Sequence, residues 1–363
     1  MSASPVAKPP PPKGRGAQTN ATGRYESLQR EVFDDGWTEE DAAPKQLKTV
    51  LHIDRARTIL ATNDSPDIGF DRSINPYRGC EHGCIYCYAR PTHAYLGFSP
   101  GIDFESQLYF KPDAAKLLEK ELSKKGYEPR PIHIGGNTDP YQPIERRLRI
   151  TRQVLEVLER FGHPCSIISK NALMARDIDI LARMAQRNLV RAVMSVTTLD
   201  RRLARAMEPR ASTPDRRIDT LKRLADAGIR CSVSVAPIIP GLTDHELESI
   251  IERAAAAGVH GAHFTVLRLP LEIKDLFREW LEAERPDRAS RVMSLVRQMR
   301  GGKDYDSQWN TRMRGEGPIA VLIEQRFRAA RRRFGLERER IPLDLSQFRV
   351  PPKAGDQMDL FVR

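Results

Sequence analysis

Three cysteines fall within eight residues: Cys80, Cys84 and Cys87, in the stretch Asn75-Pro76-Tyr77-Arg78-Gly79-Cys80-Glu81-His82-Gly83-Cys84-Ile85-Tyr86-Cys87-Tyr88. Thiolates at this spacing suit zinc or an iron–sulfur cluster. Three ligands rather than four leave one metal position open, and open positions are where metals do chemistry. His82 offers the competing arrangement, a closed Cys3His zinc site. The other two cysteines, Cys165 and Cys231, stand alone in apolar runs and read as small buried hydrophobes. An odd total of five, with three clustered, argues against a disulfide framework and for a metal site in a reducing cytosol.

Such a loop needs a scaffold. From about residue 68, apolar runs at Pro131–Ile134, Cys165–Ile168, Leu189–Val196, Ile229–Val235 and Ala262–Leu267 alternate with helix-period segments at Arg152–Phe161, Asp177–Arg187, Pro214–Ala227 and Asp244–Ala257. Ala227-Gly228 and Ala257-Gly258 read as helix ends running into strands. The alternation predicts an α/β fold: a partial (β/α)6 TIM-type barrel, with a doubly wound open sheet as the alternative. In both, chemistry sits at the carboxyl ends of the strands. Polar residues stand just beyond successive runs there: Asn137, Thr138 and Asp139, then Lys170, then Ser195. Each alone suits a turn or cap; together, on the rim that bears the cysteines, they point to a shared ligand.

Residues 1–48 are rich in Pro, Gly, Lys and Thr and are expected to form a disordered basic arm ahead of a core at 49–270. A helical extension is expected over 271–345. Its last helix carries an arginine cluster in which Arg331, Arg332 and Arg333 are candidates for binding phosphates, with a solvated face compensated by Glu324, Glu337 and Glu339 as the alternative. Residues 346–363 read as a flexible tail. The chain has 363 residues, 40% apolar and 29% charged, which excludes global disorder. A net charge of +11 fits a nucleic-acid partner and also enzymes with acidic substrates. No run of eighteen apolar residues and no secretory pattern are present, so a cytoplasmic protein without a membrane partner is expected.

The C-x3-C-x-aromatic-C pattern at the head of a β–α repeat resembles the radical S-adenosylmethionine (SAM) superfamily. The resemblance implies a 4Fe–4S cluster on Cys80, Cys84 and Cys87, with SAM on the open iron. It also implies a reducing electron donor and a 5′-deoxyadenosyl radical that abstracts hydrogen from the substrate. Further stretches resemble the spore photoproduct lyase branch. Tyr86 and Tyr88 bracket Cys87; Gly135-Gly136-Asn137-Thr138-Asp139-Pro140-Tyr141-Gln142-Pro143-Ile144-Glu145 follows the second strand; Ser169-Lys170, Ser195, Met207-Glu208-Pro209 and Val235-Ala236-Pro237-Ile238 match in order. The likeness implies SAM contacts from Tyr86, Asn137, Thr138, Asp139, Lys170 and Ser195, and radical relay, a catalytic role, for Tyr88. Asn137 stands where the lyase has a hydrogen-returning cysteine, so another donor or another substrate is implied. The ending Gln357-Met358-Asp359-Leu360-Phe361 resembles the bacterial sliding-clamp-binding pentapeptide, with Leu360 and Phe361 as apolar anchors and Gln357 as a backbone hydrogen-bonder. The expectation is a radical SAM enzyme acting on a DNA base or lesion. The alternatives are a radical SAM enzyme on RNA, protein or a small molecule, and a non-enzymatic, metal-stabilised nucleic-acid-binding module.

Overall fold

The computed structural model describes residues 13–26, 28–30, 47–337 and 341–352. Six parallel strands stand side by side in chain order: Arg72–Ile74, Ile132–Ile134, Cys165–Ser169, Val190–Ser195, Cys231–Ile238 and Gly261–Val266, the first to sixth barrel strands. A short strand, Leu60–Thr62, joins the first antiparallel at the edge. A doubly wound sheet reverses its strand order at a switch point. Here the order never reverses, so the crossovers wind one way and keep the helices on one face. The fold is therefore the partial (β/α)6 barrel.

The outward strand residues form the core. Ile132, Ile134, Cys165, Ile167, Ala192, Met194, Cys231 and Val233 are fully buried against Val154, Leu158, Leu181, Leu221, Leu224 and Ile251 of the surrounding helices. Burial pushes the Cys165 and Cys231 thiols up to about 12, which suits inert hydrophobes. The inward face is different. Strand register aligns His133 with Ser166 and Arg191 in one row, and Ser195 with Ser234 and His263 in another. His133 Nδ1 lies 2.8 Å from Ser166 Oγ. The lumen is thus lined with hydrogen-bonding groups.

Helices Ile273–Glu284, Pro286–Gln298 and Gly317–Arg333 follow the sixth strand. The last packs outside the barrel, with Phe327 4.6 Å from Phe264. The segment ahead of it crosses the unpaired side between the sixth and first strands. There the Met313 carbonyl accepts from Val266 N at 2.9 Å, and Arg312 pairs at 2.5 Å with the buried Asp67, on the loop before the first strand.

Two expectations are corrected. Within the arm expected to be disordered, residues 15–24 form a strap packed on the core. It has no apolar periodicity because it is held by polar contacts. Gly16 N and Ala17 N each donate to the Glu105 carboxylate at 2.9 Å, Thr19 donates to Glu279 at 2.7 Å, Asn20 to Asp103 at 2.9 Å, and Arg24 pairs with Glu272 at 2.5 Å. Within the expected flexible tail, Gln347 exchanges two 2.8 Å hydrogen bonds with Arg187, and Phe348 packs among Tyr127, Phe161 and His163. A small second sheet was not foreseen: Val50–Ile53 pairs with Gln107–Phe110, which pairs with Tyr77–Arg78.

His93 and His163 are fully buried, and burial lowers each to about 4. The unfolded chain takes up these protons near pH 6.5. Their contribution is therefore fully present above that value and is lost as the pH falls toward 4. Urea-unfolding midpoints of the apoprotein are expected to drop between pH 7 and pH 4.5, and less so in a His163→Phe variant.

Candidate active site at the barrel rim

The cysteine loop leaves the first strand and folds over the barrel mouth. Gly83 has φ +68°, and a Cβ there would lie 2.6 Å from a Glu105 carboxylate oxygen, so only glycine fits this turn. Arg90, fully buried, gathers the loop from behind: it donates to the carbonyls of Cys84 at 2.9 Å and Gly83 at 3.1 Å and pairs with buried Glu105. Cys80 and Cys84 are buried and Cys87 is part-buried. Burial first, then Asp139 and the other two cysteines, pushes the Cys80 thiol well up; burial likewise raises Cys84 and Cys87. Three thiols that feel one another's charge on one loop have the donor chemistry of an iron–sulfur cluster, which would take up their deprotonated forms; among the described residues no such group is drawn together around a single metal ion. His82 does not complete a zinc site. Its Nδ1 faces Asp139 Oδ2 at 3.3 Å and its Nε2 faces Asn171 Nδ2 at 3.1 Å.

The residues beyond the second, third and fourth strands meet next to this loop. Asp139 accepts from Tyr141 N at 2.9 Å, Ser169 Oγ at 2.7 Å and Lys170 N at 2.7 Å. Burial alone would raise its carboxyl, but His82, the Lys170 amide and the Ser169 hydroxyl hold it at about 2. Both carboxylate oxygens are thus occupied by protein donors, which makes Asp139 a tie between the cysteine loop and two strand ends. Lys170 Nζ donates to Ser195 Oγ at 3.0 Å and stands 5.9 Å from the Tyr86 ring centre. Thr138 is buried, its hydroxyl donating to the Tyr77 carbonyl at 2.9 Å. Asn137 N donates to Asn75 Oδ1 at 2.8 Å, and the residue lines a cavity of about 360 Å³ at the rim.

Tyr86 is buried. Its hydroxyl lies 3.0 Å from Thr197 Oγ1 and donates to Glu208, which pairs with buried Arg217. Tyr88 turns the other way, its ring exposed at the mouth and its hydroxyl donating to the Gly136 carbonyl. Arg268, beyond the sixth strand, covers that ring.

Arg331, Arg332 and Arg333 are not brought to this site. They lie on the last turn of the 17-residue helix Gly317–Arg333, and among the described residues none of their contacts is to a residue of the rim. Arg331 donates to the Leu336 carbonyl at 3.1 Å, and Arg332 stands 3.7 Å from Glu337. Gln357, Leu360 and Phe361 lie outside the described residues. Sequence reasoning missed Glu105, Arg90, Arg217 and Arg268. Only Glu208 carried a signal, inside the Met207-Glu208-Pro209 match.

No helix among the described residues is long and apolar enough to cross a membrane. The sequence profile of the radical SAM superfamily matches residues 74–254. An uncharacterized protein of Mycobacterium tuberculosis is 37% identical over 230 residues, covering 63% of this chain and 68% of that protein. A radical SAM Nα-GlyT isomerase of Pseudomonas phage M6 is 28% identical over 186 residues, 50% of this chain and 36% of that protein. Among solved structures, spore photoproduct lyase complexed with dinucleoside spore photoproduct superposes with a TM-score of 0.56 at 18% identity, covering 79% of each chain. At that identity the likeness concerns the fold.

Proposed function

We propose, for a chain that belongs to the radical SAM superfamily, hydrogen abstraction from a DNA base or lesion held at the mouth of the barrel. The family makes the protein an enzyme whose cofactors are a 4Fe–4S cluster and SAM. When bound, they supply a one-electron cleavage of SAM that yields a hydrogen-abstracting 5′-deoxyadenosyl radical. The chain's part is to hold and to exclude. Cys80, Cys84 and Cys87 hold the cluster. Lys170 and Ser195, with the segment Asn137–Asp139, line the place next to it where SAM binds. Tyr86 backs Lys170, and Tyr88 faces the substrate side.

One observation carries the reading: the strand-end residues Asp139, Lys170 and Ser195 converge by hydrogen bonds on each other and, through His82, on the cysteine loop. DNA as substrate is supported by the net charge of +11 and by the cavity beside Asn137, whose lining includes Arg57 besides Arg78 and Lys111, which share Asp54. It also accords with the dinucleoside held by the spore photoproduct lyase structure. Asn137, an amide, does not donate a hydrogen atom as a thiol does, so the reaction is read as different from the lyase's own. Recruitment to a sliding clamp through Gln357, Leu360 and Phe361, and distant phosphate contacts from Arg331, Arg332 and Arg333, belong to the same proposal.

The test is anaerobic reconstitution with iron and sulfide, reduction with dithionite and assay of 5′-deoxyadenosine. Four irons per chain and steady release of 5′-deoxyadenosine are expected, both lost in Cys84→Ala. Faster release on adding damaged oligonucleotides is the result expected for a DNA substrate. Stoichiometric zinc without SAM cleavage would refute the enzyme reading.

A further inference from the structure

The sixth strand ends at Val266, and the chain then crosses the rim as Leu267-Arg268-Leu269. Leu267 and Leu269 are buried, and the side chain between them points the other way. The Arg268 guanidinium sits 5.1 Å from the centre of the Tyr88 ring. This stack reaches across the mouth, because the Tyr88 hydroxyl is anchored on Gly136 at the end of the second strand.

Among the described residues, Arg268 has no carboxylate partner. Its Nε is buried without a hydrogen bond. Its Nη1 reaches only the Met313 sulfur, at 3.3 Å, and a thioether is a weak acceptor. Other arginines on these elements are neutralised: Arg78 by Asp54, Arg217 by Glu208 and Arg312 by Asp67. Buried Arg300 supplies no relief. It donates to the carbonyls of Leu267 and Thr311, both at 2.9 Å, and adds a second positive charge to the same corner. Desolvating a guanidinium without a counter-ion is costly, and an anion offsets that cost. The planar fork matches an oxyanion two-pronged, and an aromatic face behind it keeps it flat.

We propose that Arg268 is an oxyanion-binding residue at the barrel mouth, taking a phosphate-type group of the substrate while the Tyr88 ring backs its guanidinium. It rests on the rim being the reaction site. A nucleic-acid phosphodiester and a phosphorylated small molecule share this chemistry, and the experiment separates them.

The full-length protein is treated with phenylglyoxal, and adducts are mapped by mass spectrometry with and without inorganic phosphate. Arg268 is expected to react, and phosphate is expected to slow that reaction several-fold where sodium chloride of equal ionic strength does not. Buried Arg300 serves as the unreactive control. An Arg268 that does not react, or reacts equally fast with phosphate present, overturns the proposal. Protection by both phosphate and an oligothymidylate supports the site and the DNA reading together. Protection by phosphate but not by the oligonucleotide keeps the oxyanion site and rejects DNA as its source. In Arg268→Lys, whose compact ammonium cannot form the fork, oligonucleotide or phosphate affinity measured by calorimetry is expected to fall, while unfolding midpoints stay at the wild-type value.

Discussion

Replacing Glu105 with alanine is expected to lower stability by about 3–5 kcal/mol, the range for removing one partner of a buried ion pair. The same change is expected to leave the reconstituted cluster open to air. Glu105 is fully buried and accepts from Arg90, Gly16 N and Ala17 N. Its loss leaves the Arg90 charge buried with only carbonyls for partners, and strips two strap amides of their acceptor. Arg90 in turn holds the carbonyls of Gly83 and Cys84, so the slackening reaches the cysteine loop directly. A milder variant separates stability from shielding. A Cβ on Gly16 would overlap the Gly83 carbonyl oxygen, so Gly16→Val forces the strap off while Glu105 and Arg90 remain paired. Denaturant unfolding reads the first effect, and the rate at which the cluster's visible absorbance bleaches in air reads the second. Gly16→Val bleaching at the wild-type rate would show that the strap does not shield the cluster.

Glu208→Ala is expected to be comparably damaging, again by about 3–5 kcal/mol. The pair Glu208–Arg217 is buried on both sides, and the same carboxylate accepts from Thr197 Oγ1 at 2.8 Å and from the Tyr86 hydroxyl. Arg217 also donates to the Ser195 carbonyl at 3.0 Å. One carboxylate therefore ties the aromatic before the third cysteine to the end of the fourth strand. Glu208→Gln, which keeps an acceptor for Tyr86 but loses the charge, is expected to fall between wild type and Glu208→Ala. Thermal melts of the three apoproteins rank them, and SAM binding by calorimetry tests the coupling to the rim. A Glu208→Ala protein that melts with wild type would show the pair to be dispensable.

The parts of this site legible in the sequence are those whose signal is periodic or local. The apolar runs placed five of the six barrel strands to within a few residues, because a strand covered by helices must be apolar along its length. Asp139, Lys170 and Ser195 were found because strand ends are where the fold exposes polar groups. What escaped has no period. The strap binds by backbone amides and a close glycine contact, and its composition is that of a disordered arm. Glu105, Arg90 and Arg217 are charged residues that read as surface until the ion pair that permits their burial is seen. Phe348 and Gln347 looked like tail because two residues are too few to show a pattern.

The strap also has a consequence in time. Residues 15–24 leave the ribosome before any of their partners, yet they close on Gly83, Asp103, Glu105, Glu272 and Glu279, the last some 260 residues downstream. Such long-range contacts are slow to form. A segment made before all of its partners is thus among the last to be placed, and the strap's full set of contacts waits until the helix Ile273–Glu284 has emerged. The order of synthesis leaves the back of the cysteine loop as one of the last surfaces of the molecule to be covered.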